Sequence, residues 1–109
     1  LPLYVIKLQV DANSEGSKEV SGISGTLRKV YAYFPLNAGG FLFCKFAIGN
    51  MIFPTPHEDA EDTITADNIA IELPIEPDYT LAAGEKIILW GKNYDVANPH
   101  SVFLWIYLD

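Results

Sequence analysis

Two histidines, His57 and His100, are the only side chains in this sequence whose unperturbed pKa suits proton transfer near neutrality. Neither stands in a nucleophile motif: there is no Gly-x-Ser-x-Gly elbow, no His-Glu-x-x-His and no glycine-rich phosphate loop leading into a helix. His100 follows Asn98 and Pro99 at the start of a strand, where an edge hydrogen bond is the simpler role and general-base catalysis the competing one. Oxygen-rich segments come next. Asp59, Glu61 and Asp62, with Glu58, Asp67 and Asn68 nearby, are weak candidates for calcium, which takes about six to eight oxygen ligands. Their spacing is not that of an EF-hand, lacking both the turn glycine and the closing bidentate glutamate, so a solvated acidic loop is expected instead. A glycosidase pair within the same acids would need a cleft around it that the sequence does not signal. Asn93, Asp95 and Asn98 make a second oxygen cluster, explained by turn formation, because Asn and Asp bend the backbone through local hydrogen bonds. No cofactor is expected.

Aromatic side chains carry the remaining chemistry. Tyr79, Tyr94 and Trp90 are candidates for a flat platform on which sugar rings stack, the alternative function for this chain. Against it, Trp90 and Trp105 lie within otherwise apolar strands, which favours burial in a core or an oligomer seam. Phe41, Phe43, Phe103, Trp105 and Tyr107, together with Phe46 and Ile48, occur in strands with little polar alternation. A monomer would expose too much of this surface, and apolar patches beyond a few hundred Å² usually mark an interface. The expectation is a non-enzymatic assembly protein, a homo-oligomer held through apolar strand faces.

Positioning these residues requires strands. Residues 86–90 and 102–108 are β-branched and aromatic, with Asn93, Asp95, Asn98 and Pro99 supplying turn chemistry between them, which predicts a C-terminal hairpin. Its last strand is apolar on both faces: Val102, Leu104, Ile106 and Leu108 on one, Phe103, Trp105 and Tyr107 on the other. Residues 3–10 read as a first strand that turns Tyr4, Ile6, Leu8 and Val10 to one side. Residues 11–25, rich in Gly and Ser, read as a long loop or a partner-contacting arm. Strands are expected over 26–34, ending at Pro35, and 41–48, with Gly49 and Asn50 turning the chain into 51–53 as a hairpin. Residues 54–62 hold two prolines and four carboxylates and read as an exposed acidic loop. Short strand-like material follows over 63–69 and 69–73, then turns at 77–80 and 83–85.

With about six to eight short strands, no helical periodicity and no internal repeat, the 109 residues form a single-domain, all-β sandwich of jelly-roll type. The Cys and Trp hallmarks of an immunoglobulin domain are missing. Half the residues are hydrophobic, which excludes disorder, and a net charge of −7 disfavours nucleic acid and anionic membranes as partners. No run of about 18 apolar residues marks a membrane span. The single Cys44 lies in an apolar run and is expected to be a buried thiol; one Cys and two His do not make a zinc site. No signal peptide is read, and the chain begins at Leu1, so it is either processed or part of something longer.

The Gly84-Glu85 turn, the apolar strand ending at Asn93, the polar loop and the closing aromatic strand from His100 to Leu108 resemble small jelly-roll proteins that decorate virus heads. The resemblance extends over residues 26–108 as a succession of strand lengths and turns. It implies a homotrimer seated on a capsid lattice, a virion or extracellular location, and loops or an N-terminal arm, for which 11–25 would serve, reaching neighbouring subunits.

Overall fold

A computed structural model describes residues 2–55 and 62–109. Nine strands form in these residues: β1 (Leu3–Val10), β2 (Glu15–Val20), β3 (Gly25–Phe34), β4 (Leu42–Ile48), β5 (Met51–Phe53), β6 (Ile69–Glu72), β7 (Thr80–Leu81), β8 (Ile87–Asn93) and β9 (His100–Leu108). They make two sheets, one ordered β1-β9-β3-β6 with β7 paired to β3, the other ordered β2-β8-β4-β5. The pairings are antiparallel, and the order is that of a jelly roll. The chain behaves as a long ribbon folded over on itself: β1 runs against β9 and β2 against β8, while β3 runs against β6 and β4 against β5. Each ribbon bends across the edge of the sandwich, so consecutive strands such as β1 and β2, β3 and β4, and β8 and β9 lie in opposite sheets.

Period-two alternation decides which side chains fill the space between the sheets. In β4 and β9 the alternation is unbroken, with Leu42, Cys44, Phe46, Ile48, Val102, Leu104, Ile106 and Leu108 buried and the intervening residues half-buried. Ile6, Leu8 and Val10 from β1 and Leu27, Val30, Ala32 and Phe34 from β3 complete the first sheet's inner face. The expected face of β1 is therefore present, apart from Tyr4 at the rim, which is exposed. The β4–β5 hairpin also forms; Gly49 turns it with φ 59°, where a side chain would be strained.

Three expectations need correction. β8 and β9 are not a hairpin: they belong to different sheets, and Tyr94–Pro99 is a corner between them. Residues 11–25 are not a free arm, because Glu15–Val20 form β2 and pair along β8 from Glu15 against Lys92 to Val20 against Ile87. A polar strand is tolerated there because it is an edge, with only one neighbour to satisfy. Phe46 and Ile48 do not reach a seam, since both point into the core.

Candidate functional site

The first sheet presents an outer face built in register. Leu3, Tyr107 and Lys29 form one row across β1, β9 and β3; Val5, Trp105 and Tyr31 the next; Lys7, Phe103 and Tyr33 the third. Glu72 and Ala70 of β6 extend the last two rows. Leu3 and Val5 are 47% and 55% exposed, and the five aromatic residues are half-buried against one another. Tyr33 stacks on Trp105 at 5.1 Å and tilts against Phe103 at 5.9 Å, while Tyr31 meets Trp105 at 6.4 Å and Tyr107 edge-on at 6.2 Å. Seven apolar or aromatic side chains in three adjoining rows leave Lys7 and Lys29 at opposite corners and Glu72 on the β6 side. Along the free edge of β1, alternate backbone groups point away from β9. One of them, the Lys7 carbonyl, accepts a hydrogen bond from Lys18 Nζ at 3.2 Å.

The second sheet's outer face carries a different set. Trp90 of β8 lies opposite Lys45 of β4, and Lys92 lies opposite Phe43. Lys45 Nζ sits 4.8 Å above the Trp90 ring and Lys92 Nζ 5.0 Å from the Tyr94 ring, and Phe43 meets Tyr94 edge-on at 5.5 Å. With Glu15, Gly40 and Thr63 these residues line an open depression of about 590 Å³.

Between the sheets, the β8–β9 corner holds a polar knot. Asn93, buried at the inward end of β8, donates through Nδ2 to the carbonyls of Asn98 at 2.9 Å, Val10 at 3.2 Å and Asp11 at 3.3 Å. Its Oδ1 accepts the Asp95 backbone N–H at 2.9 Å. Asp95 accepts the N–H groups of Ala97 and Asn98, a weaker bond from the Asn98 amide, and His100 Nε2 at 2.8 Å. The Ala97 amide above all, then His100, holds its carboxyl down at about 2. His100 stacks flat on Phe41, with ring centres 5.6 Å apart.

The five residues expected in one seam are thus distributed over three places. Phe103, Trp105 and Tyr107 share the outer face of the first sheet, Phe43 belongs to the second, and Phe41 covers His100 at the corner. Of the expected sugar platform, Trp90 and Tyr94 come together, but Tyr79 does not join them. Tyr79 instead donates its hydroxyl to Glu85 at 2.7 Å and accepts the Asn50 amide beside the β4–β5 turn, at the far end of β4, about 13 Å by strand rise from the Trp90 row and about 20 Å from the Phe43 row. Hydrogen bonding to Glu85, more than burial, raises the Tyr79 pKa.

His100 does stand beside a carboxylate, and both line a depression of about 570 Å³ with Leu36, Asn37 and Phe41. The geometry suits a corner lock better than a base, because Asp95 is engaged by backbone amides as well as the imidazole. The one thiol, Cys44, is buried in β4 with its pKa pushed up by burial to about 12. His57, Glu58, Asp59 and Glu61 lie outside the described residues, and Asp62 is half-buried at their border. Among the described residues no three His, Cys, Asp or Glu side chains gather where they could hold a metal ion, and no helix is long and apolar enough to cross a membrane.

Sequence reasoning missed Leu3, Val5, Tyr31 and Tyr33 on the first sheet and Lys45, Lys92 and Glu15 on the second. Tyr31 and Tyr33, alternating with Ala32 and Phe34, carried the same two-sided signal as β9. No protein-family model, curated protein or solved structure matches this chain. The fold and surfaces define its class: a small jelly-roll sandwich with an aromatic outer face on each sheet.

Proposed function

We propose that this chain is a non-enzymatic assembly protein that self-associates through the outer face of the first sheet. The observation that carries the reading is the three-row grid of Leu3, Val5, Tyr31, Tyr33, Phe103, Trp105 and Tyr107, which no other part of the described chain covers, with Leu3 and Val5 exposed and the five aromatic residues half-buried. Burying a large apolar side chain contributes roughly 1.5–3 kcal/mol, so a few of these offset the cost of association. The charges around the grid suit a second copy. When a copy is turned about an axis parallel to the strands, its Tyr31 and Tyr33 meet Trp105 and Phe103, and its Glu72 comes within reach of Lys7. This two-fold contact closes at two copies, so the ring of three expected from the resemblance to capsid decoration proteins would need a head-to-tail contact instead, and the virion setting remains part of this proposal.

Light scattering at micromolar concentration tests it. A mass of two or three times 12.1 kDa is expected. Trp105→Asp replaces a central aromatic anchor by a charge and should raise the dissociation constant roughly thirty- to a thousandfold. Val5→Glu, on an exposed edge position, should act in the same direction without touching the core. A monomeric parent protein, or an oligomer indifferent to both variants, overturns the proposal.

A further inference from the structure

The geometry points to the outer face of the second sheet as a binding site for a short acidic glycan, a sugar chain bearing one or two carboxylates or sulfates. This site shares no residue with the self-association face and stands or falls separately.

Three features of the depression select that chemistry. Trp90 and Tyr94 supply the aromatic faces on which the C–H faces of pyranose rings stack, and Phe43 holds Tyr94 upright from the side. Lys45 and Lys92 are diagonal neighbours on β4 and β8, so their backbones lie about 7–8 Å apart with Trp90 and Phe43 completing the square. They form a positive pair on a chain whose net charge is −7, and both line the depression. Glu15, opposite Lys92, adds a carboxylate acceptor suited to sugar hydroxyls. The last feature separates a sugar from a nucleic acid. A phosphate backbone would be repelled by Glu15, whereas a hydroxyl-rich ring with few charges uses all three groups.

The lysines also provide a way for the site to open. Each ammonium rests over a ring, Lys45 on Trp90 and Lys92 on Tyr94, and such contacts are weak where water reaches them. A carboxylate or sulfate offers a stronger, charge-assisted partner. As each lysine turns to the anion, the ring it covered becomes available for stacking, so charge recognition and ring stacking occur together.

The two tryptophans make the test local, because one indole lies on each sheet. In a ¹⁵N–¹H spectrum, with Trp105→Phe used to assign the pair, digalacturonate, which carries two carboxylates, should shift the Trp90 indole resonance saturably and leave that of Trp105 in place. Lys45→Gln with Lys92→Gln should weaken binding at least about tenfold, and raising salt should weaken it in the parent. A sulfated oligosaccharide in a parallel arm distinguishes carboxylate from sulfate, and a response to either supports the site. A neutral oligosaccharide binding equally well, oligothymidylate binding better than both acidic sugars, or no Trp90 shift with any acidic sugar overturns it. An unchanged Trp105 indole resonance in the Lys45→Gln, Lys92→Gln variant shows that its loss of binding is not a folding defect.

Discussion

Replacing Asn93 by alanine removes the amide that joins three segments of chain at one corner: the end of β1, the turn after it and the β8–β9 connection. The carbonyls of Asp11 and Asn98 are partly accessible and can find water, but the bonds involving the Val10 carbonyl and the Asp95 amide are buried. Leaving a buried polar group unpaired costs about 1–3 kcal/mol, so two of them, with some water entering the space left by the side chain, give a loss of roughly 3 kcal/mol. For a domain of this size that lowers Tm by roughly 12 °C. Urea titration followed by tryptophan fluorescence reads both sheets at once, since Trp90 and Trp105 report on different ones. Asn93→Asp is the discriminating partner. It keeps the shape and the acceptor for the Asp95 amide, but turns a carboxylate oxygen toward three carbonyls in place of a donor. At pH 7 it should be at least as destabilised as the alanine variant, and it should recover in part as the pH falls and the new carboxyl can donate again. An Asn93→Ala protein within about 0.5 kcal/mol of the parent, with an unchanged denaturant slope, would refute the idea that this amide locks the corner.

The depressed pKa of Asp95 makes a second prediction with a definite sign. Its carboxylate contributes stability that is fully present above its ordinary value of 3.8 and is lost as the pH falls through about 2. The urea midpoint of the parent should therefore drop over that window, and Asp95→Asn should show a shallower drop there; parallel curves would mean the hydrogen bonds at the corner do not depend on its charge. Cys44, with no exposed surface and a pKa pushed up to about 12, should resist a thiol-specific disulfide reagent at neutral pH in the folded protein and react at the rate of unfolding. Fast stoichiometric labelling of the folded chain would show that β4 opens independently of the rest.

Alternation in the sequence determined the apolar strands and which side of each faces inward. Leu42, Cys44, Phe46 and Ile48, and Val102, Leu104, Ile106 and Leu108, are the inner sets of β4 and β9 as their spacing requires, because a strand exposes its side chains with a period of two wherever it is placed. The Gly49-Asn50 turn was legible for a similar local reason. Strand partners were not. Tyr94–Pro99 is long enough for either a hairpin loop or a corner, and no local residue says which. Choosing the corner required partners far along the chain: Val10 and Asp11 to accept from Asn93, and Ser14 to accept the Asn93 backbone amide. The same non-local pairing made β2 out of a segment too polar to read as a strand, since β8 supplies its hydrogen bonds. It also decided the surfaces. Trp105 and Phe43 look equivalent in sequence, each an aromatic at an outward position. Only the sheet order places Trp105 with Tyr31 and Val5 in an apolar grid, and Phe43 with Lys92 and Tyr94 in a charged depression on the other side of the molecule.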